Sequence, residues 1–169
     1  MAGTSAAPAG NRAVIDRPTR VLAALRLNDA TVAIAESLTG GLVGMQLTAV
    51  PGASDAFRGG VIAYATDVKA SVLGVDAGLL EREGAVHPEV AGQMATGVRS
   101  LLGATYGLAL TGVAGPDPQD GKAPGTLHVA VDGPAGLTVD SPAITATDRA
   151  GIRDEAARVA FDLLLAVVR

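Results

Sequence analysis

Polar residues and glycines follow three apolar runs of the sequence. They lie at the ends of the segments AESLTGG (residues 35–41), GGVIAYA (59–65) and LTGVAGPD (110–117). Each apolar run has the length and composition of a buried strand. Ligands of open α/β sheets bind just beyond the carboxyl ends of strands, where loops and helix N-termini converge. The polar residues in these segments are therefore better functional candidates than the same residue types elsewhere.

Ser37 and Thr39 lie where the first apolar run passes into a helix-like stretch. The backbone N–H groups of that helix start would point the same way as the Ser37 hydroxyl. Such a group of donors binds an anion or the oxyanion of an acyl-transfer intermediate. Ser and Thr are also common as plain helix caps, and the spacing alone favours that structural role.

Tyr64 and Lys69 form the second candidate pair. Tyr64 is one of only four aromatic residues, and Lys69 is one of only two lysines in a chain with eleven arginines. A desolvated lysine can act as a neutral base toward a serine hydroxyl, and a nearby tyrosine can relay or orient the proton. The alternative is that Tyr64 packs at a strand end and Lys69 is solvated, and the local pattern favours that alternative.

The glycine-rich stretch 111–116 would allow a ligand to approach the backbone closely, because glycine has no Cβ. An ordinary long loop has the same composition. The following GPDPQDGK segment is not a phosphate-binding loop, since five residues separate Gly115 from Gly121 where four are needed. Ala123 also stands where such a loop requires Ser or Thr.

A metal site is not expected. The two histidines, His87 and His128, form no closely spaced pair, and the chain has no cysteine. Asp117 and Asp120 could touch a cation, but two loop aspartates are more typical of turns. Nucleophilic catalysis would therefore have to use Ser or Thr with Lys, or water with a carboxylate.

The elements that must position these residues interleave along the chain. Strands are predicted over residues 31–36, 59–65 and 106–112, and a hairpin over 126–144. Helices are predicted from Pro18, over 41–50, through Lys69 to Leu73, over 88–102, and after a cap at Asp148. This order predicts an α/β protein with a single three-layer domain, in which a mixed β-sheet carries helices on both faces. Residues 1–16 are predicted to be a flexible tail, and residues 17–169 the domain.

The composition limits the class of protein. A length of 169 residues corresponds to one domain, and 49% apolar with 18% charged residues is typical of a compact fold. The absence of cysteine excludes a disulfide scaffold and thiolate catalysis. A net charge of −4 gives no electrostatic reason to bind nucleic acid or an anionic membrane.

The sequence shows no targeting or membrane signal. It contains no apolar stretch near the ~18 residues of a membrane-spanning helix, and no charged segment precedes an apolar core at its beginning. A cytoplasmic protein is the expectation.

The motifs resemble, in order and spacing, the CinA C-terminal domain family. The resemblance is carried by AESLTGG, PGASDAFRGGVIAYATDVK, LGV, EGAVHPEVA, LALTGVAGPDP, PGTLHVAV and TDRAGIR. It runs from about residue 17 to 168. The combination of AES-x-TGG with TG-x-AGP is specific.

Members of that family are nicotinamide mononucleotide (NMN) deamidases, which hydrolyse the carboxamide of NMN to nicotinic acid mononucleotide and ammonia. The resemblance implies a layered α/β domain, a homo-oligomer (dimer or trimer), a small nucleotide substrate, and neither metal nor cofactor. It also implies the form of the family that lacks an additional N-terminal pyrophosphatase-type domain.

The resemblance assigns roles residue by residue. Ser37 matches the proposed nucleophile, Tyr64 and Lys69 the pair that activates it, and Thr111 a residue of the active site. The implied substrate-binding residues are Thr39, Gly40, Gly41, Gly112, Ala114, Gly115, Arg149 and Arg153, with one of the two arginines meeting the phosphate.

These assignments give a Ser/Tyr/Lys hypothesis. Lys69, with Tyr64, takes the proton from Ser37, which attacks the carboxamide carbon while the helix-start N–H groups hold the oxyanion. Three residues depart from the family's usual ones: Leu38 replaces Cys or Ala, His87 replaces Ser and Thr147 replaces Gly. A pocket closed by Leu38 would favour the alternative, a non-catalytic nucleotide-binding regulatory module associated with competence and the DNA-damage response.

Overall fold

Six α-helices and five strands make up residues 9–168, the part of the chain that the computed structural model describes. The elements are α1 (Ala9–Leu27), β1 (Val32–Glu36), α2 (Leu42–Thr48), β2 (Phe57–Ile62), α3 (Thr66–Leu73), α4 (Ala77–Glu83), α5 (Pro88–Leu102), β3 (Tyr106–Gly112), β4 (Leu127–Gly133), β5 (Gly136–Asp140) and α6 (Arg149–Val167). A short 3-10 turn, Ala53–Asp55, precedes β2.

The strands form one mixed sheet in the order β2-β1-β3-β4-β5. β1 lies parallel to β2 and to β3, whereas β4 and β5 continue the sheet as an antiparallel hairpin. Every residue of the two central strands, β1 and β3, is buried. Strands covered on both faces are continuously apolar, which explains their unbroken hydrophobic runs.

The two faces of the sheet carry side chains of different size. Ile34, Leu108 and Leu110 point to one face and pack with α1, α2 and α6. Ala33 and Ala109 point to the other face and pack with α3, α4 and α5. The predicted α/β class, with a mixed sheet between two helical layers, is confirmed.

The small residues let α5 approach its neighbours closely. A Cβ on Gly107 in β3 would lie 2.1 Å from the Ala95 carbonyl oxygen of α5. A Cβ on Gly97 in α5 would lie 1.9 Å from the carbonyl oxygen of Leu73, the last residue of α3. Helix α3 is therefore held tightly against α5, and this contact fixes the helix that carries Lys69.

Several predicted boundaries differ from the observed ones. Helix α1 begins at Ala9, so Pro18 lies inside it and not in its first turn, and the part of the predicted tail from residue 9 is helical. The remaining residues of that tail, 1–8, lie outside the described residues. β2 ends at Ile62, before Tyr64, and α4 was not predicted. The caps at His87 and Asp148 lie where the sequence places helix starts.

The helices of residues 9–168 were also compared with the length and hydropathy that a membrane span requires. None of them is long and apolar enough to cross a bilayer.

Gly97→Ala should destabilise the protein, because the new methyl group would meet a backbone carbonyl that cannot move away. We expect a loss of roughly 1–3 kcal/mol in the free energy of unfolding, measured by urea denaturation. The matched control is Gly78→Ala in α4, where the Cβ would meet only the ends of two side chains, Arg82 and Asp76. That change should cost nothing or stabilise by up to about 1 kcal/mol. Equal effects of the two substitutions would contradict the close approach of α3 and α5.

Candidate active site

A hydrogen bond joins Lys69 to Ser37 at the carboxyl end of β1. The Lys69 Nζ atom donates to Ser37 Oγ at 3.1 Å and to the Ala63 carbonyl oxygen at 2.6 Å. Both side chains are buried, Lys69 with 1% of its surface exposed and Ser37 with 8%. A serine hydroxyl and a lysine amine are thus in direct contact where the sequence predicted a nucleophile and its base.

The position of Lys69 follows from the way the β1–β2 ladder ends. The Ala63 N–H donates to the Glu36 carbonyl oxygen at 2.8 Å, one residue beyond the last paired residue of β2. The Ala63 carbonyl oxygen then accepts from Lys69 Nζ. Lys69 reaches this point from the first half of α3, so one buried amine ties the helix to the ends of two strands.

Burial changes the acid–base behaviour of this amine. Desolvation lowers the pKa of Lys69 to about 8, because the charged ammonium loses its water, while the Asp120 carboxylate acts in the opposite direction. A substantial fraction of Lys69 is therefore neutral near pH 8. In that form it can accept the proton of the Ser37 hydroxyl.

A pocket of about 310 Å³ opens beside Ser37, which is small for a ligand-binding pocket. Its lining combines the turn after β1, the start of α6 and the loop after β3. The residues are Ser37, Leu38, Tyr64, Gly112, Val113, Ala114, Gly115, Asp117, Pro118, Gln119 and Arg149. Leu38 belongs to this lining, so it limits the space next to Ser37.

Tyr64 and Arg149 form a pair at this pocket. Arg149 donates to the Tyr64 hydroxyl at 3.1 Å and to the Gly115 carbonyl oxygen at 2.5 Å. Tyr64 is 61% exposed, and its hydroxyl is bonded to the arginine and not to Lys69. The structure therefore brings Tyr64 to the pocket but not into the Ser37–Lys69 contact.

Thr111 and Arg153 hold backbone near the pocket without lining it. The Thr111 hydroxyl donates to the Ala85 carbonyl oxygen at 2.7 Å. Arg153 donates to the Leu38 carbonyl oxygen at 3.2 Å and to the Thr39 carbonyl oxygen at 2.8 Å. Of the two arginines predicted to bind substrate, Arg149 lies at the pocket and Arg153 holds the turn that follows Ser37.

The start of α2 is not available as the predicted oxyanion hole. The Glu36 carboxylate accepts hydrogen bonds from the N–H groups of Gly41, Val43 and Gly44 at 2.8–3.1 Å. The Glu36 side chain thus occupies the N–H donors at the start of α2. A carboxylate is stable there because it accepts their hydrogen bonds and interacts favourably with the helix dipole. This role of Glu36 was missed, although an acidic residue at the end of an apolar strand was its signal.

The predicted residues Thr39, Gly40 and Gly41 lie in this turn, outside the pocket lining. Thr39 is fully buried, and its hydroxyl has no hydrogen-bond partner among the described residues. Gly40 and Gly41 have positive φ angles of 59° and 98°, which glycine adopts without strain. These glycines therefore shape the turn that connects Ser37 to α2.

Two further polar residues of the pocket wall were not assigned to it from the sequence. Asp117 and Gln119 lie in the loop after β3, where their composition is typical of turns. Within residues 9–168, no group of three or more histidine and acidic side chains is placed to hold a metal ion.

Comparison with known proteins identifies one protein family that matches this chain. The model of the CinA C-terminal domain matches residues 16–168. A CinA-like protein from Frankia casuarinae is 58% identical over 144 residues, which are 85% of this chain and 33% of that protein. A competence-damage inducible protein from Bacillus velezensis is 44% identical over 142 residues, 84% of this chain and 34% of that protein. The chain thus spans about a third of the length of these curated relatives.

Solved structures show the same fold. The competence/damage inducible protein CihA from Agrobacterium tumefaciens has a TM-score of 0.89 and 30% identity, over 98% of this chain and 100% of that one. The CinA superfamily protein KP700603 from Klebsiella pneumoniae has a TM-score of 0.87 and 29% identity, over 92% and 97% of the two chains.

The buried lysine should make stability depend on pH in a way that Lys69→Met removes. The folded-state pKa of Lys69, about 8, lies below its ordinary value of 10.5. Between these values the unfolded chain binds more protons than the folded one, so the folded protein gains stability as pH rises. Urea denaturation from pH 7 to 10 should show wild type gaining roughly 2 kcal/mol relative to Lys69→Met.

The control for this measurement is Lys122→Met, which removes the other lysine and keeps Lys69. It should show the same gain in stability with pH as wild type, whatever the loss of its hydrogen bond to the Glu83 carbonyl oxygen costs. Parallel curves for wild type and Lys69→Met would mean that the Lys69 amine is not desolvated in the folded protein.

Proposed function

The chain belongs to the CinA C-terminal domain family, and we propose that it is an amidase that hydrolyses the carboxamide of NMN to nicotinic acid mononucleotide and ammonia. The observation that carries the proposal is the 3.1 Å contact between Ser37 Oγ and the buried Lys69 amine. This pair has the donor, the acceptor and the lowered lysine pKa that serine-based acyl transfer requires.

The proposed reaction begins with neutral Lys69. Its amine takes the Ser37 proton as Ser37 Oγ attacks the carboxamide carbon. The tetrahedral intermediate collapses, the C–N bond breaks, and the ammonium of Lys69 returns the proton to the leaving nitrogen, which departs as ammonia. Water, deprotonated by the same amine, then attacks the acyl-enzyme carbonyl carbon. The ester C–O bond breaks, Ser37 Oγ recovers its proton from the Lys69 ammonium, and the acid is released.

The oxyanion of the intermediate needs donors other than the start of α2, since Glu36 occupies those N–H groups. Leu38, Ala114 and Gly115 line the pocket together with Ser37. We assign the oxyanion to backbone N–H groups of these residues. Preorganised backbone donors of this kind typically contribute a factor of about 10²–10³ each to the rate.

We assign recognition of the nucleotide to two charged residues of the pocket lining, Arg149 and Asp117. Arg149 is the cationic residue of the lining, and it is already oriented by the Gly115 carbonyl and the Tyr64 hydroxyl. A guanidinium suits a phosphate group because its N–H donors are fixed in a planar fork. Asp117, in the same wall, can accept hydrogen bonds from ribose hydroxyls.

Ser37→Ala should reduce ammonia release from NMN by roughly 10³-fold or more, because the attacking atom is removed. Its matched control is Ser71→Ala, which removes an exposed hydroxyl from α3, the helix that carries Lys69, and should leave the rate unchanged. Release by wild type should be insensitive to chelator. Near-wild-type turnover by a folded Ser37→Ala protein would contradict the nucleophile assignment.

A folded wild-type protein that releases no ammonia would contradict the amidase proposal. A calorimetric titration with NMN would then test whether the protein binds the nucleotide without hydrolysing it. Binding without turnover would favour the nucleotide-binding regulatory module.

The rate should rise with pH as Lys69 loses its proton. We expect kcat/KM for NMN to increase through an apparent pKa of about 8, since the base acts in its neutral form. Lys69→Arg should be inactive, because a guanidinium keeps the charge but does not give up its proton. A flat profile between pH 6.5 and 9, or normal turnover by Lys69→Arg, would show that Lys69 is not the base.

A further inference from the structure

Arg153 donates to two consecutive carbonyl groups of the backbone. Its Nε atom donates to the Leu38 carbonyl oxygen at 3.2 Å, and its Nη2 atom donates to the Thr39 carbonyl oxygen at 2.8 Å. Within residues 9–168, Arg153 forms no ion pair with a carboxylate. Its side chain is partly buried and does not line the pocket. The guanidinium therefore serves the turn that follows Ser37.

Helix α6 carries two arginines with different contacts. Arg149 and Arg153 are four residues apart, so their side chains leave the same face of the helix. Arg149 lines the pocket and donates to the Gly115 carbonyl oxygen in the loop after β3. Arg153, one helical turn further along, reaches the turn after Ser37. The helix thus holds both backbone segments that meet at the pocket.

The carbonyl contacts orient the peptide groups of this turn. In a trans peptide, the C=O and the N–H point in opposite directions. Arg153 holds the Leu38 carbonyl, so the Thr39 N–H, in the same peptide group, points away from the guanidinium. The Ser37 carbonyl oxygen accepts from the Gly40 N–H at 3.1 Å, which turns the Leu38 N–H away from Gly40. Both carbonyl groups are therefore bonded within the protein, one of them by Arg153.

The N–H groups of Leu38 and Thr39 are left without an acceptor. Neither donates a hydrogen bond to any residue in the part of the chain that the structure describes. Thr39 is fully buried and Leu38 is 4% exposed, although buried backbone N–H groups are nearly always paired. Both groups directly follow Ser37 and are distinct from the α2 donors that Glu36 occupies. In α/β-hydrolases, the backbone N–H of the residue after the nucleophile is an oxyanion donor.

We propose that Arg153 is a positioning residue, which holds the turn after Ser37 so that the Leu38 and Thr39 N–H groups stay free to bind the oxyanion. The inference rests on Ser37 as the nucleophile of the proposed function, but not on NMN as the substrate. The Leu38 N–H already belongs to the proposed oxyanion site, and the Thr39 N–H is added to it. The competing explanation is that Arg153 binds the phosphate of the substrate.

Pyridine-3-boronic acid tests this role because it carries no phosphate group. Ser37 Oγ adds to the trigonal boron and the serine proton passes to neutral Lys69, which leaves a tetrahedral, negatively charged boronate that needs the oxyanion donors. We expect wild type to form this adduct, measured by ¹¹B NMR and calorimetry, and Ser37→Ala to lose it. Arg153→Met should weaken binding roughly 10- to 100-fold, because the two N–H donors remain but are no longer held in place.

Arg158→Met is the matched control, since it removes a cation from the same helix and should leave the affinity for the boronic acid unchanged. Equal affinities of wild type and a folded Arg153→Met protein would overturn the proposal. Failure of wild type to form the adduct would overturn it too, because unpaired donors beside Ser37 should stabilise the boronate. If Arg153→Met does not fold, Arg153→Lys replaces it, because lysine keeps the charge and lacks the planar fork. The same comparison then decides, with an expected weakening of about tenfold.

The kinetics with NMN separate positioning from substrate binding. Arg153→Met should lower kcat and kcat/KM by the same factor, because the oxyanion forms only in the transition state. A raised KM with an unchanged kcat would mean that Arg153 binds the substrate itself, and would overturn the proposal. A wild-type protein that forms the boronate adduct without hydrolysing NMN would contradict NMN as the substrate. The weaker adduct of Arg153→Met would still support the role of Arg153.

Discussion

The site depends on keeping one amine out of water. Lys69 Nζ lies between Ser37 Oγ and the Ala63 carbonyl oxygen, so the same atom bonds to the proposed nucleophile and to the backbone just beyond the end of the β1–β2 ladder. A solvated lysine in this position would stay protonated at neutral pH and could not act as a base. Desolvation lowers the pKa of Lys69, and the remainder of the fold has to provide that desolvation.

The face of the sheet that carries Ala33 and Ala109 provides this desolvation. Ala33 and Ala109 let the α3–α5 layer lie close to the strands, and Gly97 lets α5 touch the end of α3 backbone to backbone. Larger side chains at these points would move α3 outward and admit water around Lys69. The opposite face carries the bulky Ile and Leu residues, where most of the apolar burial takes place. One face of the sheet therefore buries most of the apolar side chains, and the other lets the α3–α5 layer lie close to the strands.

The sequence was sufficient for the parts of the fold that depend on local pattern. β1, β3 and α5 have long apolar runs or strong helical periodicity, and the glycine-rich turns after β1 and β3 indicated which ends of the strands to examine. The contacts of Arg153 could not be predicted in this way. Arg153 lies more than a hundred residues from the carbonyl groups it binds, so its role depends on tertiary packing. Helix α4 is short, so it has too few apolar residues at helical spacing for the pattern to indicate a helix.

Glu36 also determines where an anionic ligand can bind. A free helix start beside Ser37 would attract a phosphate group toward this serine, but the Glu36 carboxylate already satisfies the N–H groups there. Attraction for an anion is then left to Arg149, the cationic residue of the pocket lining, at the start of α6. In the proposed reaction, a phosphate held by Arg149 leaves the nicotinamide end of the substrate to face Ser37. The internal carboxylate thus supports the proposed orientation of NMN, with its phosphate at Arg149 and its carboxamide at Ser37.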